Sequence, residues 1–313
     1  MATIDGRCVL VYDIGGSHIS AAVCAESSFV LGPVSKSAQP DEQSTDAFLG
    51  VLSHLAAQVA PDLQRVDGAG LAMPGPFDYA EGVSWMRHKM PYLYGVDVRR
   101  ELAERFGWQD EHVRFLNDAA AYLLGEIGAG AARGVSRVVG ITLGTGIGSG
   151  FAIDGQLQTG GAGIPPGGEI WNVPFEGGIV EDLISTRFIK QGYLESTGRE
   201  REVAEIAEGA AQDPAAVEVF QDFGRNLGRV LRSLLRDFAP EVVVLGGGIS
   251  RSADLFLPAA QGELQGTPMR LSISALGDLA PLVGAGVSWF SRAAKPPVQS
   301  KAALGKSALH ERA

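Results

Sequence analysis

Cysteine is scarce in this chain. Cys8 and Cys24 are the only two, too few for a disulfide framework, and both fall in neighbouring expected strands, as buried thiols of a reducing compartment do. No cluster of cysteine and histidine has metal-ligand spacing, which argues against a structural zinc site. Long apolar runs are missing too, since none reaches the roughly 18 residues that a membrane-spanning helix needs. The opening MATIDGRCVLVYD leads almost at once into a strand pattern, without the basic, apolar and small-residue sections of a secretory leader. A cytoplasmic address with no membrane partner is the expectation. Positive charge is in deficit, at a formal net charge of −10. That balance repels nucleic-acid phosphates, and no helix-turn-helix precedes the first strand, so direct DNA binding is not expected. From Ala293 onward the balance reverses: Lys295, Lys301, Lys306 and Arg312 stand against Glu311 among Ala, Pro, Ser and Gln. Residues 293–313 read as a disordered tail.

What is present is a repeated α/β pattern. At 313 residues the chain has room for two domains, each near the common size of roughly 100 to 150 residues. RCVLVYDI, HISAAVCAE and SFVLGPVSK predict an antiparallel meander. A helix follows over STDAFLGVLSHLAAQVA, capped by Ser44 or Thr45. VDGAGLAM is a strand closed by Pro74-Gly75-Pro76; residues 97–107 predict a helix and VRFLND another strand. RVVGITLGT and GSGFAIDGQLQTG then begin the pattern again. Helices are expected near 179–190, 201–210 and 214–238, followed by the strand EVVVLGG, a helix after Ser252, the strand MRLSIS and a helix from Pro281. Two such units suggest two similar domains with a ligand cleft between them. The arginines at 225, 229, 232 and 236 recur at helical spacing and read as a solvated face.

Four stretches carry candidate chemistry. In VRFLNDAAAYLLGE a hydrophobic strand delivers Asn117 and Asp118 to its C-terminal edge, where a small-residue helix starts; either Asp118 is a working carboxylate, or Asn117 or Asp118 simply caps the helix. Asp13-Ile14-Gly15-Gly16-Ser17 joins the first two strands. Adjacent glycines there let several N–H groups converge on phosphate oxygens, Ser17 adds a hydroxyl, and Asp13 can hold magnesium directly or through water; an ordinary hairpin turn reads the same way. Gly144, Gly146, Gly148 and Gly150 alternate through the matching turn of the second half, with Thr145 at its tip, for close passage of phosphates or for a bend needing positive φ. Gly246-Gly247-Gly248 follows Val242, Val243, Val244 and Leu245, which opens flat space for a purine or makes a plain strand-to-helix turn. None of these loops matches the Walker A or dinucleotide spacing.

The ordered set Asp13-x-Gly-Gly-Ser, Asn117-Asp118, Leu-Gly-Thr-Gly-x-Gly and Val-x-Leu-Gly-Gly-Gly resembles the ROK family of sugar kinases and repressors, over residues 8 to about 291. The resemblance implies an α/β architecture of two RNase H-like domains of the actin and hexokinase superfamily, facing a cleft that holds ATP and Mg2+. It implies an N-terminal domain over 1–118, with the first phosphate loop and part of the sugar site. A C-terminal domain over 119–292 would carry the second phosphate loop and the adenosine site, its last helix packing back on the first domain. Asp118 matches the catalytic base and Asn117 its neighbour on the sugar hydroxyls. Gly168-Glu169-Ile170 matches a sugar-binding segment, Glu181 the contact to the anomeric end, although a charge at a helix N-terminus would read the same way, and Gly75 lies in the turn before a further sugar-side segment. Asp13, Gly15, Gly16, Ser17, Gly144, Thr145 and Gly146 would grip phosphates and metal, with Gly247 and Gly248 beside the adenosine. Relatives are often dimers, so a homodimer is among the assemblies implied.

The departures from the pattern fall on the sugar side. Zinc-containing members continue Gly-Glu-Ile with Gly-His, whereas this chain has Trp171-Asn172, so Asn172 replaces the histidine; the cysteine cluster is absent and zinc is not expected. Lys89-Met90, with His88 adjacent, stands where related glucose kinases tend to carry Asn-Leu. The expectation is ATP-dependent phosphorylation of a hexose hydroxyl with Asp118 as general base. Two rivals remain: a sugar sensor without catalysis, and a kinase that uses polyphosphate as donor. His18, next to the first loop, is expected to face solvent.

Overall fold

The computed structural model describes residues 6–291, and the tail expected over 293–313 lies outside them. Within that range the chain divides into two compact units, 6–129 with 279–291, and 130–278. Each has its own apolar core.

The first unit is built around β1 (Cys8–Ile14), whose nearly unbroken apolar sequence is buried on both faces, as a central strand requires. β2 (His18–Ala25) pairs with it antiparallel, from Cys8 opposite Ala25 to Ile14 opposite Ile19. The third strand, β3 (Ser35–Ala38), is shorter and later than expected. Ser28 and Phe29 adopt positive φ, Leu31 makes only an isolated bridge to Cys24, and Pro33 has no N–H for a ladder. α1 (Thr45–Val59) starts where the Ser44 side chain accepts from Ala47 N–H. β4 (Ala69–Met73) runs parallel to β1, and a short hairpin of β5 (Phe77–Asp78) and β6 (Val83–Ser84) follows. α2 (Val98–Phe106) is capped by Asp97 and stopped by left-handed Gly107. β7 (Val113–Asn117) lies parallel to β4 with Asn117 opposite Met73, and α3 (Asp118–Ala129) begins without a connecting residue. The sheet order is β3-β2-β1-β4-β7. Cys8 and Cys24 are buried free thiols, and burial pushes Cys24 up to about 12.

The second unit repeats this plan. β8 (Arg137–Leu143), β9 (Ile147–Ile153) and β10 (Gln156–Gln158) form the antiparallel meander. A small hairpin of β11 (Pro174–Phe175) and β12 (Gly178–Ile179) leads into α4 (Val180–Leu183). The single helix expected over 179–190 is broken: α4 ends at Leu183, Ser185 is extended, and α5 (Thr186–Thr197) starts afresh. The break is fixed by Thr186 N–H donating to Gly144 O at 2.9 Å. α6 (Val203–Gly209) and α7 (Pro214–Leu234) follow. α7 stops before Arg236, so the arginine stripe on it is three residues long. Arg229 pairs with Glu176 and Arg225 with Asp222, while Phe220, Phe223 and Leu227 are buried. β13 (Val242–Gly246), α8 (Ala253–Glu263) and β14 (Arg270–Ile273) complete the order β10-β9-β8-β13-β14.

The last helix, α9 (Ala280–Phe290), belongs to the first unit and packs on α3, β1 and β4. The two helices approach closely because Gly284 has no side chain: a Cβ there would sit 1.7 Å from Ala121 O. The first unit also extends through α3 to residue 129, past the boundary at Asp118 read from the sequence.

Candidate active site

In the first unit, β4 and β7 end side by side and deliver the turn at Gly75 next to Asn117 and Asp118. Asn117, rather than Asp118, caps α3. Its Oδ1 accepts from Ala119 and Ala120 N–H at 3.0 and 3.1 Å, and its Nδ2 donates to the Tyr79 hydroxyl at 3.3 Å. The Tyr79 hydroxyl in turn donates to Met73 O at 3.1 Å. Asp118 is half-buried in the first turn of α3, where Oδ1 accepts from Ala119 N–H at 2.9 Å. Withdrawal from water pushes its carboxyl above the ordinary aspartate range, opposed by the charge of Lys89 and by hydrogen bonds from the helix start and Asn117. Lys89 is exposed and acts electrostatically on Asp118.

The β1–β2 turn carries Gly15, Gly16 and Ser17 at its apex. Gly15 N–H donates to His18 O at 2.9 Å, a Cβ at Gly16 would meet nothing within 4 Å, and both Gly16 and Ser17 are exposed. His18 faces solvent, with Nδ1 2.9 Å from the Ser17 hydroxyl. Asp13, half-buried near the end of β1, lies opposite Ser20.

In the second unit, the turn between β8 and β9 holds Gly144, Thr145 and Gly146, while Gly148 and Gly150 are inside β9. None of Gly15, Gly16, Gly144 and Gly146 is in the left-handed region. These positions therefore do not need glycine for its φ; a Cβ at Gly15 or Gly146 would crowd His18 O or Glu181 Oε2 at 3.2 Å, whereas at Gly16 and Gly144 the space beside the backbone is open. β13 lies beside β8, with Gly246 opposite Thr142. Gly247 has φ +82°, and a Cβ on it would sit 2.4 Å from Leu143 O. The second and third glycine stretches thus meet at the C-terminal ends of two parallel strands, the edge where open α/β sheets bind ligands. Gly248 is exposed, with nothing within 4 Å of a Cβ.

Glu181, the second residue of α4, turns its carboxylate to this same turn: Oε2 accepts from Ile147 N–H at 3.1 Å. Glu169 is half-buried and accepts from the Trp171 indole at 3.2 Å. Asn172 is exposed. Ser149 holds the Gly168–Ile170 segment against β9, donating to Gly168 O at 2.7 Å and accepting from Ile170 N–H at 3.1 Å. Among the described residues no group of three or more His, Cys, Asp or Glu side chains is gathered as metal ligands.

The candidate residues thus form one set in each unit: Asp13, Gly15, Gly16, Ser17, Gly75, Asn117 and Asp118 in the first, and Gly144, Thr145, Gly146, Glu169, Asn172, Glu181, Gly247 and Gly248 in the second. The model of the family described as ROK matches residues 9–292. The chain belongs to the ROK family. Among its relatives is a glucokinase of Thermotoga maritima, 28% identical over 268 residues, which span 78% of this chain and 82% of the relative. A ROK hexokinase from Thermus thermophilus has a similar structure, with a TM-score of 0.75 at 28% identity, over 90% of this chain and 97% of that one. So has a ROK glucokinase from Streptomyces griseus in complex with glucose and AMPPNP, with a TM-score of 0.72 at 26% identity, over 89% and 98%. The fold is that of the ROK hexokinases, two α/β domains of the actin and hexokinase type.

Tyr79 and Ser149, which hold Asn117 and the Gly168–Ile170 segment in place, were not visible in the sequence. Ser149 sits within the Gly144–Gly150 stretch and Tyr79 follows shortly after Gly75, but nothing in their spacing marks them as hydrogen-bonding partners.

Proposed function

We propose that this ROK chain transfers the γ-phosphoryl group of ATP to a hexose hydroxyl, with Asp118 as the base. It is a sugar kinase, as its relatives are named. What supports the role of Asp118 is the start of α3, where Asn117 accepts from both Ala119 and Ala120 N–H, so that the cap does not depend on Asp118, which shares only the Ala119 N–H. Phosphoryl transfer has a loose transition state, and the protein's task is to align donor and acceptor and stabilise spreading negative charge. Asp118 accepts a hydrogen bond from the acceptor hydroxyl and takes its proton as the bond to phosphorus forms. Backbone N–H groups of the turns at Gly15–Ser17 and Gly144–Gly146 bind phosphate oxygens, and Gly247 and Gly248 leave room for the adenosine.

Asn117, Glu169, Asn172 and Glu181 supply the amides and carboxylates that read sugar hydroxyls. A single carboxylate beside a backbone cradle suits a hard cation shared with phosphates, not a closed protein-only metal site. Asp13 would hold Mg2+ there, and the ion would neutralise phosphate charge. A cytoplasmic site of action and a homodimeric assembly belong to the same proposal.

The test is ADP release with ATP and Mg2+ across glucose, mannose, fructose, allose and N-acetylhexosamines. Turnover with at least one sugar is the expected result. Sugar binding without ADP release from any of them would favour a sensor, and turnover with polyphosphate but not ATP would replace the donor.

A further inference from the structure

The apex of the β1–β2 turn is secured by Gln39, which follows β3. Its backbone N–H donates to Ser17 O at 3.0 Å, and its side-chain Nε2 donates to Gly15 O at 2.7 Å. The other end of the same amide is also engaged: Oε1 accepts from the Tyr92 hydroxyl at 3.3 Å, and Nε2 lies 3.8 Å from Met90 Sδ. Gln39 therefore joins the turn to the segment that carries Lys89.

The direction of these bonds matters. In a trans peptide the C=O of one residue and the N–H of the next lie in one plane and point opposite ways. Holding Gly15 O on Gln39 thus aims Gly16 N–H away from Gln39, and holding Ser17 O does the same for His18 N–H. A Gly-Gly peptide is the backbone unit freest to rotate, because neither residue has a Cβ to restrict it. Unheld, it could turn a carbonyl toward a phosphate where a donor is needed. Gly16 is exposed and has open space around it, so its N–H is approachable.

We propose that Gln39 is a positioning residue that locks the Gly15–Gly16 peptide with Gly16 N–H presented to the nucleotide phosphates. The inference rests on the sugar-kinase reading of the same turn and deepens it by naming what sets the donor's direction.

Gln39→Glu is the decisive variant: it keeps the shape and the acceptor for Tyr92 but puts a carboxylate oxygen against Gly15 O. In the full chain, Kd for AMPPNP with Mg2+ and KM for ATP should rise about tenfold, the loss of one well-placed hydrogen bond. The sugar Kd should stay within about twofold. Gln39→Leu should act in the same direction, and Tyr92→Phe, which removes only the bond to Gln39 Oε1, should do so more weakly. A folded Gln39→Glu variant with unchanged AMPPNP affinity, beside an active wild type, would overturn the role of Gln39 and leave the kinase reading intact. Equal weakening of both substrates with a lowered Tm would also overturn it, by showing a merely structural residue. A wild type that neither binds AMPPNP nor releases ADP would remove both readings.

Discussion

At Asp118, burial and neighbouring charge pull in opposite directions, and burial wins. A base must be ionised, so the acid limb of kcat/KM against pH should lie above the ordinary aspartate value of about 3.9. Lys89 lowers the Asp118 pKa; Lys89→Met removes that help and should move the acid limb to higher pH. A limb that moves down, or stays put, would show that the two groups are not coupled. The same shift has a consequence for stability. Because the folded-state pKa is raised, the native chain holds a proton that the unfolded chain has already lost, and stability falls as pH rises through that window. At neutral pH the ionised carboxylate is a burden on the fold. Asp118→Asn should therefore raise Tm while it lowers activity, a pairing that a capping or packing residue would not show. At the second turn, a Cβ on Gly144 would meet only Gly146 O, at 3.7 Å. Gly144→Val should fold and yet lose at least about tenfold in AMPPNP affinity, since the added bulk blocks phosphate approach; normal affinity by calorimetry would contradict the cradle.

The elements were legible where a local pattern dictates them. The buried run of β1, the Ser44 cap of α1 and the Asp97 and Gly107 ends of α2 all state themselves in a few residues. Two elements differ from the pattern: the break between α4 and α5, which the tertiary bond to Gly144 O decides, and the late start of β3, which follows Pro33 and the positive-φ turn at Ser28 and Phe29. The same limit hid Gln39, Tyr79 and Ser149, whose partners lie 24, 38 and 19 to 21 residues away. Helix packing adds a testable point. In each unit a glycine lets two helices touch: Gly284 of α9 against Ala121 O, and Gly224 of α7 with a Cβ position 2.2 Å from Phe256 O. Gly284→Ala should push α9 off α3 and cost about 3 kcal/mol, read as a lower urea midpoint at unchanged slope. An unchanged midpoint would mean that the helices separate freely.

For the molecule as a whole, the repeated strand order of the two sheets is the frame on which the chemistry is divided. The duplication was readable because both halves open with a glycine-punctuated hairpin and close with parallel strands. Sugar identity was not, because at Lys89 and Asn172 the resemblance offers no matching residue to carry over. The central claim, that Asp118 is the base of an ATP-dependent sugar kinase, is tested most directly by comparing wild type and Asp118→Asn with the best acceptor sugar. The comparison needs turnover and AMPPNP affinity measured on the same preparations. A fall in turnover of roughly 100-fold or more, with AMPPNP Kd within about twofold, is the predicted result. Turnover retained at the wild-type level would contradict the account.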